Sequence, residues 1–397
     1  MSDPIVRIAA RGDGVSASGR HAPFAVPGDL LLEDGSVEAG PHRQLPPCRH
    51  FPECGGCQLQ HADAEAYRGY LVSRVEGALA QHGLVAEVRE PHLSPPKSRR
   101  RATLRALRMG KQVLIGFNAE KSHRIIDMRE CHILRPELFA LVAPLRQMLA
   151  TLLDQRRPAE VQLTLADQGP DVMLKGVQPQ GLAAIEALTD FCERNGLARL
   201  TLDGGFGPET HYEPVPATAT LSGVAVALPP GAFLQATDDG ESALVAAVRE
   251  AAGGAQKVAD LFAGLGTFAF ALPGQIYAAE ASRDALLSLK SAAGRAGRPI
   301  SVEHRDLYRR PLSQPELENF DAIVLDPPRS GAEEQVRNLA VSSVRRIAYV
   351  SCNPATFARD AALLVAGGYA LEWVRPVGQF RWSTHVELAA CFSRGSA

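Results

Sequence analysis

Lys257 to Phe268 reads K-V-A-D-L-F-A-G-L-G-T-F. An apolar run meets a turn containing two glycines, and the residues beyond it can open a helix. The same rhythm recurs in I-Y-A-A-E ending at Glu280, I-S-V-E-H from Ile300, D-A-I-V-L-D ending at Asp326 and R-I-A-Y-V-S ending at Ser351. Short runs that are apolar throughout, each followed by loop or helix, predict parallel strands covered on both faces. The tail, L-E-W-V-R-P and then H-V-E-L-A-A-C-F, adds two strands with no helix between them. The expectation is an α/β domain of doubly wound, Rossmann-like form over residues 216–397.

Upstream the patterning differs. Residues 1–46 are rich in glycine and short alternations, which predicts a small β module. Residues 47–215 read as a mixed α+β central domain. It opens with a loop-like cysteine segment and continues with a helical periodicity closed by Gly83. R-A-T-L-R-A-L-R-M-G-K-Q-V-L-I-G-F then predicts a hairpin turning at Gly110. Of 397 residues, 46% are hydrophobic and 22% charged, and no apolar run approaches the length of a membrane span. The start, M-S-D-P-I-V-R-I-A-A, has no secretory pattern, so a cytoplasmic protein without a membrane partner is expected. Seven cysteines then read as thiols or ligands rather than disulfides.

In a doubly wound sheet, ligands bind beyond the C-terminal strand ends. Those ends carry Asp260, Gly264 and Gly266 in the first turn, Glu280 after the second strand, and D-P-P-R-S-G, Asp326 to Gly331, after the fourth. Ala269 stands where a third fingerprint glycine would fall, so the glycine pattern alone leaves a dinucleotide open. The rigid D-P-P turn favours S-adenosylmethionine and methyl transfer over a nicotinamide cofactor. Asp306, in H-R-D-L, is either an adenine contact or an N-cap facing solvent.

Y-V-S-C-N-P-A-T places Cys352 where the fifth strand ends, with Asn353 and Pro354 opening a helix. A buried small hydrophobe is the commoner fate of a cysteine, but helix N-H groups at this position would favour a thiolate. Such a thiolate can add to C6 of a pyrimidine and make C5 nucleophilic. A base must then remove the C5 proton; Glu387, in T-H-V-E-L, is the candidate, with His385 as orienting partner or rival. Cys192 and Cys391 read as core. Cys48, Cys54, Cys57 and Cys131 form C-x5-C-x2-C with a distant fourth thiol, a set that suits zinc or an iron-sulfur cluster alike. Lys97, Arg99, Arg100, Arg101, Arg105, Arg108 and Lys111 form an acid-free basic run that is either a solvated face or a phosphate-contacting patch.

G-A-F-L-Q-A-T near Gln235, D-L-F-A-G-L-G-T-F, D-P-P-R-S-G, Y-V-S-C-N-P-A-T-F-A-R-D and H-V-E together resemble the RNA uracil-C5 methyltransferases. That resemblance implies a class I methyltransferase domain in which Gln235, Phe262, Gly264, Gly266, Thr267, Glu280, Asp306 and Asp326 line the S-adenosylmethionine site. It implies Cys352 as nucleophile, Glu387 as proton acceptor and an unstacked uridine as target. The cysteine spacing resembles the 4Fe-4S site of the 23S ribosomal RNA branch, which implies a structural cluster and ribosomal RNA as partner; the transfer-RNA branch, or a non-catalytic iron-sulfur RNA-binding protein, are the alternatives. With the resemblance, the basic run is expected to contact RNA. The first residues look like a short TRAM domain, an RNA-binding β-barrel. Ala263 and R-W-S-T before His385 depart from the family's usual cysteine and proline.

Overall fold

The computed structural model describes residues 3–395. Residues 3–38 form a five-stranded antiparallel sheet around Ile5, Ala22, Ala25 and Leu31. The hairpin predicted at Gly110 joins Arg101–Met109 to Gln112–Gly116. It forms the edge of a six-stranded sheet that continues through Pro158–Ala166, Gly169–Lys175, Arg199–Asp203 and Pro208–Tyr212.

Helix α1 (Ala64–Ala80) falls within the segment read from sequence as central, yet it packs elsewhere. Its N-cap Asp63 accepts from the Ala66 N-H, and Tyr67, Leu71 and Val75 share a core with Phe357, Ala361, Leu364 and Val374 of the third sheet. Each such side chain contributes roughly 1.5–3 kcal/mol when removed from water. Tertiary packing therefore holds this helix, and it holds it on the catalytic side.

The third sheet is built from β1 (Lys257–Leu261), β2 (Gln275–Glu280), β3 (Ile300–His304), β4 (Ala322–Leu325), β5 (Arg346–Ser351), β6 (Ala370–Gly378) and β7 (Glu387–Ser393). Their order is 3-2-1-4-5-7-6, with β1 to β5 parallel and β7 antiparallel between β5 and β6. This is the class I methyltransferase arrangement expected from the sequence. Glu87–Val88 and His92–Leu93 extend the sheet beyond β6. α2 (Asp238–Ala252), α3 (Arg283–Arg295), α4 (Glu333–Ala340) and α5 (Pro354–Ala366) cover its faces. Ala322 to Leu325 are wholly buried, which is why β4 reads as apolar throughout. Among the described residues no helix is long and apolar enough to cross a membrane.

Arg100 ties the second sheet to the third. Its guanidinium donates to Asp238 (2.5 Å) and Glu241 (2.6 Å) at the start of α2 and to the Gln235 carbonyl (3.1 Å). Burial pushes the Glu241 carboxyl up, and Arg100 opposes that push. Arg100→Leu leaves Glu241 buried without its cation, and unfolding in urea should show a loss of about 3–5 kcal/mol.

Candidate active site

Strand register brings the functional residues to one edge. β5 pairs with β7 so that Ser351 faces Leu388, and the next step in that antiparallel ladder sets Cys352 opposite Glu387. Leu261 pairs with both Ala279 and Leu325, so Phe262, Glu280 and Asp326 follow at adjacent strand ends. Because β7 runs against its neighbours, its first residue meets their last.

The D-P-P-R-S-G turn is stapled to α5. The Asn353 amide (3.0 Å) and Thr356 hydroxyl (3.1 Å) donate to the Arg329 carbonyl, and Asp360 accepts from the Ala332 N-H and the Tyr349 hydroxyl. Asn353 caps α5 by accepting from the Ala355 N-H, as its place before proline predicts. The acidified thiol expected there is not found. Cys352 is half-buried; desolvation, then the carboxylates of Glu387 and Asp326, push its thiol up to about 11, with Arg329 opposing. Burial first, and then the neighbouring acids, set the thiol's direction despite its place before a helix.

Glu387 is buried, and desolvation raises its carboxyl to about 7, opposed chiefly by Arg101 and by Gln379. Asp326 is raised as well, by burial and then by Glu387 and Asp260. Carboxyl groups that cannot all ionise together suit proton transfer near neutral pH. His385 keeps an exposed edge while desolvation on its inner side, then the nearby Arg329 and Arg99, lower its pKa; its Nδ1 accepts from Arg329 at 2.5 Å. That nitrogen is thus engaged, whereas among the described residues no such cation is bonded to the Glu387 carboxyl. Gln379, unnoticed in the sequence, is buried and donates to Gln235 Oε1 (2.8 Å) while accepting from the Ala236 N-H (2.8 Å). A conserved-looking motif did not mark it; only the fold of the β6–β7 loop does.

The other proposed cofactor residues gather around β1 and β2. Asp260 is fully buried, neither carboxylate oxygen has a hydrogen-bond partner, and burial lifts its pKa to about 7. Gly264 has φ +55°, and a Cβ there would meet open space; its N-H donates to Glu280 at 2.9 Å. Gly266 serves packing instead, because a Cβ would meet Phe270 at 2.9 Å and Leu289 at 3.0 Å. An orphaned acid beneath an open glycine turn fits a polar cofactor. Thr267 is half-buried beside that turn. Phe262 adopts φ +65°, and its ring lies 5.6 Å from that of Tyr308, whose hydroxyl reaches Ser330 and the Gly331 carbonyl. Tyr308 was not singled out by motif. Asp306 accepts from the Tyr308 and Arg309 N-H groups in a turn after β3 that opens no helix, so it is not an N-cap.

Cys48, Cys54, Cys57 and Cys131 line one recess with Phe51, Phe117, Ile126, Met128 and Ile133, and His50, Gln60, Glu130 and His132 also border it. All four are free thiols raised chiefly by burial, with neighbouring thiols adding at Cys48, Cys54 and Cys57 and Glu130 at Cys131. Among the described residues no group of three or more His, Cys, Asp or Glu is arranged to hold a metal ion. Four thiols facing one recess are a donor set whose chemistry fits an iron-sulfur cluster or zinc.

The basic run is mostly internal. Arg99 lies over Phe117 and Phe380, Arg101 over Phe233 with Glu387 nearby, Arg105 pairs with Glu160, and Arg108 donates to the Leu153 carbonyl. Lys97, Arg105 and Lys111 are exposed. Part of the run is thus drawn inward by acids, rings and carbonyls from distant segments, and three cations remain on the surface.

The sequence family described as tRNA (Uracil-5-)-methyltransferase matches residues 303–394. An RNA methyltransferase of Zymomonas mobilis, itself described as uncharacterized, is 51% identical over 98% of this chain and 99% of its own length. The 23S rRNA (uracil(1939)-C(5))-methyltransferase of Pectobacterium atrosepticum is 32% identical over 89% of this chain and 80% of its own. In fold, the chain is similar to the crystal structure of Pyrococcus abyssi tRNA (uracil-54, C5)-methyltransferase in complex with S-adenosyl-L-homocysteine, with a TM-score of 0.75, 24% identity, and coverage of 99% and 100% of the two chains.

Proposed function

Because the chain belongs to the RNA uracil-C5 methyltransferase family, we propose that it methylates C5 of a uridine in 23S ribosomal RNA with S-adenosylmethionine, by way of a covalent bond to Cys352. The observation that carries this reading is the cross-strand meeting of a thiol and a carboxyl raised to about 7. Uracil C5 is a weak nucleophile until sulfur adds at C6, and the added thiol can leave only after a base takes the C5 proton. Cys352 Sγ forms the C6 bond, Glu387 takes the proton once C5 is methylated, and breaking of the C6–S bond restores the ring. S-adenosylmethionine supplies the electrophilic methyl group. Gly264, Glu280, Phe262, Thr267, Gln235, Asp306 and Asp326 would hold it.

Cys48, Cys54, Cys57 and Cys131 would hold a 4Fe-4S cluster, which supplies a structural clip. The cysteine spacing and the Pectobacterium relative support the ribosomal target, whereas the matched family description names transfer RNA. Mapping 5-methyluridine in ribosomal and transfer RNA from cells with and without the protein tests the choice. Loss of a single 23S position is expected, and loss confined to transfer RNA would overturn the ribosomal assignment. Iron and acid-labile sulfide in the purified protein are expected near four of each; zinc alone would overturn the cluster.

A further inference from the structure

The loop from Gln379 to Val386 connects β6 to β7 and ends at Glu387, and it is bolted to the cysteine-bearing segment far away in sequence. The N-H groups of Gln58 and Leu59, directly after Cys57, both donate to the Trp382 carbonyl at 2.8 Å. The Gln58 side chain accepts from the Thr384 N-H at 3.3 Å and donates to the Gly55 carbonyl at 2.8 Å. Trp382, held at φ +59°, packs with Cys57 and Ile133, against Phe117 and Cys131, behind residues that line the recess. Arg99 adds a second bridge, its guanidinium 5.7 Å from the Phe117 ring and 5.2 Å from that of Phe380. At the near end of the loop, Gln379 is locked to Gln235 and Ala236.

Tyr67 and Tyr70 of α1 hold the remaining side of the loop, donating to the carbonyls of Phe380, Ser383 and Thr384. The loop therefore has a fixed wall and a wall made of the recess. A non-glycine residue at positive φ persists only where its surroundings over-determine it, and here those surroundings include two of the four thiols. We propose that Gln58 and Trp382 are positioning residues through which the four-cysteine recess sets the placement of the Glu387 carboxylate. The proposal rests on the reading of Glu387 as the proton acceptor. It gives the recess a catalytic consequence without electron transfer: a disturbed recess slows removal of the C5 proton far more than addition of Cys352, because Cys352 leads into α5, which is stapled to the D-P-P turn, and that turn meets the loop at the Arg329–His385 contact, away from Gln58.

The test compares wild type with Gln58→Ala, Gln58→Glu and Trp382→Phe, each purified whole, with iron and sulfide content measured. Amide hydrogen exchange across residues 380–386 is read with and without treatment by an iron chelator. The covalent complex with unmodified uridine RNA is read at steady state, and the rate of adduct formation with 5-fluorouridine RNA separately. Gln58→Ala should raise exchange in the loop about tenfold and slow proton removal about tenfold, so that covalent complex accumulates, while 5-fluorouridine adduct formation stays within about twofold. Gln58→Glu keeps the acceptor and Trp382→Phe keeps a ring behind the recess, so both should remain near wild type. Chelation should raise the same exchange. Unchanged exchange in Gln58→Ala and after chelation, or equal slowing of both chemical steps, overturns the proposal. Should wild type form no adduct with 5-fluorouridine RNA, the proposed function falls instead, and loop exchange alone then decides whether recess and loop are coupled.

Discussion

Cys352→Ala is expected to lower uridine C5 methylation by a factor on the order of 10⁴ or more and to abolish covalent attachment to 5-fluorouridine RNA. The expectation follows from what the other residues cannot replace. Glu387, Asp326 and Arg329 are the ionisable groups that act on the thiol, and neither a carboxyl nor a guanidinium replaces sulfur in the bond to C6. Alanine fits the half-buried strand end, and the stapling of the D-P-P turn runs through Asn353, Thr356 and Asp360, so the fold should survive. Mass spectrometry of peptides from the wild-type adduct should place the nucleotide on Cys352. Methylation at an undiminished rate in the alanine variant would end the covalent mechanism.

Glu387→Gln separates the two halves of the reaction. Glutamine has the carboxyl's shape but accepts no proton, so addition and methylation proceed and release stalls, with turnover reduced about 10²- to 10⁴-fold. A protein-RNA species stable to denaturing electrophoresis should accumulate on unmodified uridine RNA; normal turnover would remove Glu387 from its role. The pH dependence follows from the two raised groups. Glu387 is an acceptor only when ionised, so proton removal should rise as pH passes upward through about 7 and level off above it. The Cys352 thiol, raised to about 11, yields more thiolate with each pH unit. Adduct formation with 5-fluorouridine, which bypasses proton removal, should therefore climb about tenfold per unit with no inflection near 7.

The inner strand runs were legible because parallel strands buried on both faces are apolar almost throughout, as Ala322–Leu325 and Arg346–Ser351 show, while Ile300–His304 at the sheet edge stays mixed. The strand-end residues followed from those runs. Their pairing did not: Cys352 and Glu387 are neighbours only because β7 enters antiparallel between β5 and β6, and that register depends on the whole sheet. Arg100 was misread for a related reason. A charge run looks solvated in one dimension, whereas Asp238 and Glu241, far along the chain, draw this arginine inside. The thiol's acidity was misjudged because helix polarity is local and readable, while burial, and then two acids arriving from other strands, are set by the folded sheet. Gln379 and Tyr308 carry no signature beyond polarity and were visible only as partners.

Helix α1 and the two short strands that follow it come from the first quarter of the chain, yet they finish the sheet begun at Lys257. The catalytic half is thus not a detachable cassette. A gene fragment opening near residue 216 would strip α5 of its cover and leave β6 as a bare border open to aggregation. Recombination that exchanges the RNA-reading portion between relatives must carry this helix across with it, so the two halves are bound to be inherited together.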